Sequence, residues 1–136
     1  GRCEIKKSNN MTFIDDTYNA NLESTVAAID YLTGFSGNGR RILIFGDMFE
    51  LGNESKNQHI KVGQKCAESD LDLVFTVGAE TVATHESILS GPDHMHFSTK
   101  EDLIKELRTE ITDGDKILVK GSRGMAMETI IETLMK

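Results

Sequence analysis

Short apolar runs that alternate with amphipathic segments constrain the fold of this chain more than any other feature of the sequence. Residues 41–45 form an apolar run that ends at Gly46, as is typical of a strand buried on both faces of a parallel sheet. Similar runs predict strands at 11–15, 72–77, 94–97 and 116–120, and residues 3–7 are expected to pair with the first of these. Strands joined by helices of this length form right-handed βαβ units, so we expect an α/β domain.

The helical segments between these runs have recognisable ends. Leu22 to Thr33 places apolar residues on one helical face, and Gly34 is the expected C-cap. Ser98 with Glu101 matches a capping box before a further helix, and the last helix is expected to start from the Gly121–Gly124 turn. Two more helices are predicted at about 54–68 and 80–89.

Composition bounds the class of protein. The 136 residues fit a single domain, and the formal net charge of −7 disfavours nucleic acid and anionic membranes as partners. No apolar run reaches the length of about 18 residues that spans a bilayer, and the first four residues show no secretion leader. Cys3 and Cys66 match no metal spacing, so we expect free thiols, a reducing compartment and a cytoplasmic location.

The loops that follow the predicted strands are the first place to look for a ligand site, because open α/β sheets bind ligands at the carboxyl ends of their strands. These loops span residues 15–21, 46–52, 78–80 and 121–124. The first contains Asp15, Asp16, Tyr18 and Asn19; carboxylates suit ribose hydroxyls, and an aromatic or amide surface suits a purine. An alternative stays open, in which Asp16 and Asn21 only satisfy turn and N-cap amides.

The second loop joins a carboxylate to apolar side chains. Asp47 can meet a cation, a hydroxyl or an unpaired amide. Met48, Phe49 and Leu51 are apolar where loops are usually polar. They either cover the end of the sheet or contact another domain.

The last loop combines two cations, a hydroxyl and two glycines. Lys120, Ser122 and Arg123, at the start of a predicted helix, would form an anion site for a carboxylate or a phosphate. The alternative is a capped helix whose charges are only solvated.

Several catalytic and metal motifs are missing from the sequence. His94 and His96 would face one side of a strand, but no third ligand is evident, and His59 is expected to pack or cap. Neither a P-loop nor a Gly-x-Gly-x-x-Gly turn occurs, so a triphosphate would not be held by this chain alone.

Three loop motifs occur in a characteristic order and spacing: Ile14–Asn21 (IDDTYNAN), Phe45–Gly52 (FGDMFELG) and Val119–Met125 (VKGSRGM). Together they resemble the C-terminal domain of the Mur ligases, and the resemblance covers essentially all 136 residues. It implies a Rossmann-like three-layer domain with a sheet of about six strands, mostly parallel with one antiparallel strand. It also implies an N-terminal domain for a UDP-sugar and a central domain that carries the P-loop and the Mg²⁺ site.

The resemblance also implies an activity, namely ATP-dependent amide-bond formation in peptidoglycan precursor synthesis. A peptide carboxylate takes the γ-phosphate of ATP to form an acyl phosphate, which an amine then attacks. The branch of the family that fits is the one that adds D-Ala-D-Ala to UDP-N-acetylmuramoyl-tripeptide. Gly78-Ala79-Glu80 stands in place of the Asp-Asn-Pro-Arg motif of the diaminopimelate-adding branch, and Tyr18 replaces a Lys of the D-glutamate-adding branch. The domain alone is expected to be monomeric and inactive.

Site roles follow from the same resemblance. It assigns nucleotide contacts to Arg2, Asp15, Tyr18 and Asn19, and dipeptide contacts to Ser122, Arg123 and Asp47. Asp47 is either a contact of the substrate amine or a brace within its loop. No residue of this chain is assigned as a catalytic group or as a metal ligand.

Three alternatives remain beside this hypothesis. The first is another Mur-type ligase. The second is a folate-adding (folylpolyglutamate-type) ligase domain, whose loop has His and Pro where this chain has Tyr18 and Ala20. The third is a non-catalytic α/β ligand-binding module such as a receiver domain, which needs an Asp at the end of its third strand where this chain has Phe75–Gly78.

Overall fold

The computed structural model describes residues 3–136 as one α/β unit with alternating strands and helices. The elements are β1 (Glu4–Ser8), β2 (Met11–Asp16), α1 (Leu22–Thr33), β3 (Arg41–Gly46), α2 (Ser55–Glu68), β4 (Leu73–Val77), α3 (Val82–Glu86), β5 (Asp93–Phe97), α4 (Lys100–Glu110), β6 (Lys116–Lys120) and α5 (Glu128–Leu134). Two short 3₁₀ turns cover Gly52–Glu54 and Arg123–Met125.

The strands form one six-stranded sheet in the order β1-β2-β6-β3-β4-β5. Only β1 pairs antiparallel, with β2, and the other four pairs are parallel. The register places Ile14, Leu118, Leu43 and Val74 in one row across the sheet. The predicted fold class, a mostly parallel sheet of about six strands with one antiparallel strand, is confirmed.

Helices cover both faces of the sheet, which makes three layers. The row of Ile14, Leu118, Leu43 and Val74 faces α1 and α2, whose buried apolar residues include Ile29, Leu32, Val62 and Cys66. The opposite face packs against α4 and α5, through Leu103, Leu107, Ile130 and Ile131. Full burial of such a side chain stabilises the fold by about 1.5–3 kcal/mol. The packed helices and strands therefore fix the position of the loops that connect them.

The ends of three helices differ from the sequence predictions. Helix α3 covers Val82–Glu86 rather than 80–89, because the amide of Ser87 turns onto the carbonyl of Thr84 and closes the helix early. Helix α4 is capped by Thr99, whose hydroxyl accepts the amide of Asp102 at 3.1 Å, so the predicted Ser98 capping box is wrong by one residue. Gly34 caps α1 as predicted.

The last helix also begins later than predicted. Ala126 has a φ of +50°, a left-handed conformation that interrupts the chain before α5 starts at Glu128. The Gly121–Gly124 segment therefore does not lead directly into a helix. Among the described residues, no helix combines the length and apolar character needed to cross a membrane.

Candidate functional site at the carboxyl edge of the sheet

Four loops lie side by side where the parallel strands end, because β2, β6, β3 and β4 are neighbours in the sheet. We call them the carboxyl-edge loops; they span residues 15–21, 121–126, 46–52 and 78–81. The backbone amide of Ser122 donates to the carbonyl of Asp47 at 3.0 Å, which joins the two central loops. This edge is where ligands of open α/β sheets bind.

Asp15, the predicted ribose ligand, is buried at the end of β2, with only 2% of its surface exposed. Its Oδ1 accepts bonds from the amide and hydroxyl of Thr17 at 3.2 and 2.6 Å, and its Oδ2 accepts the Lys6 ammonium at 2.9 Å. Burial alone would raise the pKa of Asp15, but the bonds from Thr17 and Lys6 outweigh it, and the pKa lies below its ordinary value. Asp15 is thus engaged within the domain.

Lys120 is buried rather than presented to an anion. Only 2% of its side chain is exposed, and Nζ donates to Asp16 Oδ2 at 2.8 Å and to the carbonyl of Asn19 at 3.0 Å. The predicted anion site of Lys120, Ser122 and Arg123 therefore loses its lysine to the neighbouring loop.

Tyr18 and Asn19 lie on the outside of that loop. The Tyr18 side chain is about half exposed beside a surface pocket of about 240 Å³, which is also lined by Asp16, Asn19, Asn21 and Ser24. Asn21 is the N-cap of α1, since its side chain accepts the amide of Ser24 at 2.8 Å. The arrangement leaves an aromatic face and an amide beside a helix N-terminus.

Asp47 is a brace between two loops. Its Oδ1 accepts the backbone amides of Glu80 and Thr81 at 3.0 and 2.9 Å, and the residue is 5% exposed. Gly78 packs against this carboxylate with a φ of +118°, and a Cβ there would lie 2.4 Å from Oδ1. We expected Asp47 either to contact the substrate amine or to brace its loop, and these hydrogen bonds correspond to the second role.

Ser122 holds the same region from the β6 side. Its hydroxyl accepts the amide of Phe49 at 2.7 Å. The Phe49 ring lies over Gly124, where a Cβ would come within 2.8 Å of the ring. The exposed fraction of Phe49 is 42%, so the ring covers the loop on one side and faces solvent on the other.

Arg123 is the cation that this edge does present. It lies in a 3₁₀ turn rather than at the predicted helix N-terminus, and half of its side chain is exposed. Its guanidinium pairs with Glu128 of α5. An anionic ligand at Arg123 would share the guanidinium with that carboxylate or replace it.

The apolar start of the second loop is fixed by a buried histidine. The amide of Met48 donates to His59 Nε2 at 3.1 Å, so Nδ1 carries the proton that it donates to the carbonyl of Ser55 at 2.7 Å. His59 is fully buried, which agrees with a packing or capping role. A pocket of about 350 Å³ opens beside it, lined by residues 47–52, Ser55, Ala79 and Glu80.

Three histidines cluster beyond the β4 loop. The His85 ring lies 4.9 Å from that of His94 and 5.8 Å from that of His96, which adds a third member to the pair seen in the sequence. Burial, followed by the charges of the other two rings, lowers the pKa of His85. Within residues 3–136, no group of three or more His, Cys, Asp or Glu side chains has an arrangement that could hold a metal ion.

The predicted site residues fall into two groups in space. Asp15 at the end of β2 lies beside Tyr18 and Asn19 of the following loop, while Asp47 and Ser122 meet at the centre of the edge. Arg2 lies outside the described residues. Sequence reasoning missed Lys6 and the buried role of Lys120. A cation that directly follows the apolar residues 117–119 of a central strand was the available signal for Lys120.

The family that this fold and edge fit is that of the Mur ligases. The family model described as "Mur ligase, glutamate ligase domain" matches residues 1–123, and the chain belongs to this family.

Three similar proteins all belong to one branch of the family. The UDP-N-acetylmuramoyl-tripeptide--D-alanyl-D-alanine ligase of Escherichia coli (strain K12) is 39% identical over 134 residues, which cover 97% of this chain and 28% of that protein. Crystal structure I of MurF from Acinetobacter baumannii has a TM-score of 0.89 at 34% identity, and covers 99% of this chain and 30% of its own. MurF from Thermotoga maritima, solved with ADP, has a TM-score of 0.80 at 28% identity, with 97% and 30% covered. The chain thus spans less than a third of the length of these relatives.

Proposed function

We propose that this chain is the C-terminal domain, residues 1–136, of an ATP-dependent ligase that adds D-Ala-D-Ala to UDP-N-acetylmuramoyl-tripeptide. The observation that carries the proposal is identity of 39% over 97% of the chain with a ligase of that name. Because the match covers only 28% of that ligase, the N-terminal and central domains of the same enzyme are the proposed partners. The folate-adding and non-catalytic alternatives have no comparable support.

The reaction proposed is a two-step acyl transfer. The tripeptide carboxylate attacks the γ-phosphorus of ATP and releases ADP, and the dipeptide amine then displaces inorganic phosphate from the acyl phosphate. The nucleophiles of both steps belong to the substrates, a carboxylate and an amine. The contribution of this chain is to cover the nucleotide, orient the dipeptide and exclude water from the acyl phosphate when the domains close.

The nucleotide is proposed to lie against the loop after β2. The half-exposed Tyr18 ring and the Asn19 amide line the pocket of about 240 Å³ there, and a MurF relative was solved with ADP. Arg2 is proposed to reach the phosphates. Asp15 is proposed to bind the ribose hydroxyls, although its burial makes that contact depend on movement of Lys6 or Thr17.

The dipeptide is proposed to lie near the β6 and β3 loops. Arg123 offers a planar fork that matches a carboxylate, and the carboxylate of D-Ala-D-Ala would replace Glu128 as its partner. Ser122 and Asp47 support this position by joining the loops.

The Mg²⁺ that ATP requires is assigned to the central domain. Asp15 and Asp16 are the carboxylates nearest the proposed nucleotide, and a lysine already neutralises each of them. These residues do not fit a divalent cation, so no step is assigned to a metal here.

We propose that the enzyme is cytoplasmic and monomeric. The free thiols of Cys3 and Cys66 support this proposal, because structural disulfides are rare in reducing compartments.

Phosphate release by the full-length protein tests the proposal. With ATP, Mg²⁺, UDP-N-acetylmuramoyl-tripeptide and D-Ala-D-Ala we expect turnover, and omission of the dipeptide should abolish it. The 136-residue chain alone should fold and show no turnover. Turnover with a single amino acid in place of the dipeptide would contradict the proposal that D-Ala-D-Ala is the substrate. Turnover by the isolated chain would contradict the proposal that it is one domain of a larger enzyme.

A further inference from the structure

The centre of the sheet contains a charge that needs an explanation. Lys120 ends β6, which lies between β2 and β3, and 2% of its side chain is exposed. An ammonium ion at such a site is costly unless a carboxylate and further acceptors surround it. An apolar residue at this position would pack without that cost. The lysine is therefore best explained by the groups to which its ammonium donates hydrogen bonds.

The partners of Lys120 are the last residue of β2 and a residue of the loop that follows it. Asp16 lies directly opposite Lys120 in the parallel register, and its Oδ2 is 2.8 Å from Nζ. The carbonyl of Asn19, three residues further on, is 3.0 Å from the same nitrogen. One buried ammonium group therefore binds both ends of the Asp16–Asn19 segment. The Tyr18 side chain between them is about half exposed to solvent.

We propose that Lys120 is a positioning residue that holds the Asp16–Asn19 segment in the conformation that receives the nucleotide. The inference rests on the proposed function, which places ATP against this segment. Lys120 does not touch the nucleotide; it acts through the Asp16 carboxylate and the Asn19 carbonyl. The β2–β6 ladder already places Asp16 opposite Lys120, whereas the bond to the Asn19 carbonyl lies outside the sheet and depends on the lysine side chain.

The chain supplies a matched control on the same strand. Lys116 is a second buried lysine of β6, at the opposite end, and its Nζ donates to the carbonyl of Asn38 at 2.7 Å. Lys116→Met removes the same charged group from the same strand, but far from the carboxyl edge. Effects of lost burial or charge in β6 should appear in both variants, whereas effects on the nucleotide segment should appear only in Lys120→Met.

The test uses the full-length protein, with KM for ATP and for D-Ala-D-Ala measured separately. Lys120→Met should raise the KM for ATP by about tenfold or more and leave that for the dipeptide within about twofold, since lost charge-assisted hydrogen bonds act on one loop. Lys116→Met should leave both within about twofold. The double variant Asp16→Asn/Lys120→Met removes both charges, so it should recover thermal stability but not the KM for ATP.

Amide hydrogen exchange gives a readout that needs no nucleotide. The Thr17 amide is buried and donates to Asp15 Oδ1 at 3.2 Å, and its exchange should accelerate at least about tenfold in Lys120→Met and stay unchanged in Lys116→Met. Wild-type exchange at the Thr17 amide in Lys120→Met, or a wild-type KM for ATP in the folded double variant, would overturn the inference. A wild-type protein that fails to bind ATP would instead refute the proposed function, and hydrogen exchange would still decide the role of Lys120.

Discussion

The carboxylate of Asp47 accepts the backbone amide of Thr81 at 2.9 Å, across the gap between two loops that belong to neighbouring strands. The same oxygen accepts the amide of Glu80 at 3.0 Å. An acidic residue that the sequence marks as a possible ligand contact is therefore occupied by the protein's own backbone. Asp47 therefore contributes to the candidate site by fixing the distance between the loop after β3 and the loop after β4.

Asp47→Ala should destabilise the domain. The variant leaves the amides of Glu80 and Thr81 without their acceptor, and a buried unsatisfied donor costs about 1–3 kcal/mol. Asp47→Asn is the matched control, because an amide oxygen in the same place still accepts. Urea unfolding of the 136-residue chain measures both. Unchanged stability in Asp47→Ala, together with a raised KM for the dipeptide, would make Asp47 a substrate contact.

Arg123→Lys should raise the KM for D-Ala-D-Ala by about tenfold and leave the KM for ATP nearly unchanged, because a lysine keeps the charge but loses the two-pronged fork. Glu128→Gln is the informative companion, since it frees the guanidinium from its present partner. That variant should bind the dipeptide at least as well as the wild type. An effect of Arg123→Lys confined to ATP would place this residue at the nucleotide instead.

Asp15 should contribute to acid stability. Its pKa is lowered in the folded chain, because the bonds from Thr17 and Lys6 outweigh burial. Its stabilising effect is therefore complete above the ordinary value of 3.8 and is lost as the pH falls through the lower folded value. The free energy of unfolding measured from pH 5 to pH 2 should decrease less steeply in Asp15→Asn. Parallel curves would show that Asp15 titrates as in an unfolded chain.

The same Asp15→Asn variant tests the proposed ribose contact. In the full-length protein, it should raise the KM for ATP by about tenfold, as the loss of a charged acceptor predicts. An unchanged KM for ATP with an altered acid transition would limit Asp15 to a structural role in its loop.

The histidine cluster should make the domain sensitive to mild acid. Burial and the neighbouring rings of His94 and His96 lower the pKa of His85, while Glu86 opposes this shift. The folded state therefore resists protonation, and stability is complete above the ordinary value of 6.5 and declines as the pH falls below it. Thermal melts between pH 7.5 and pH 5 should show this decline, and His85→Gln should flatten it. Equal slopes in both proteins would contradict the prediction.

Sequence patterns predicted the strands well and the helix boundaries less well. An apolar run such as 41–45 has few alternatives to a central strand, and β3 covers Arg41–Gly46. The start of α5 depends instead on the left-handed backbone of Ala126, and alanine gives no sequence signal for that conformation. The choice between Ser98 and Thr99 as the cap depends on which hydroxyl reaches an amide, and adjacent candidates are equivalent in sequence.

The position of the candidate site was predictable, but the use of its polar groups was not. Topology alone selects the carboxyl-edge loops. Whether Lys120 faces a ligand or Asp16 depends on the register between β2 and β6, two strands about a hundred positions apart in sequence. Long-range pairing of this kind leaves no local pattern that could reveal it.

The place of β6 in the sheet also governs how the chain can assemble. β2 and β3 follow each other in sequence but do not pair with each other, because β6, the last described strand, lies between them. During synthesis the β1–β2 pair and the β3–β4–β5 strands therefore cannot join into one sheet until residues 116–120 have been made. Their arrival closes a contact of high sequence separation, which is intrinsically slow. We expect nascent chains that end before Lys116 to remain sensitive to proteases, and chains that extend past α5 to become resistant in one cooperative step.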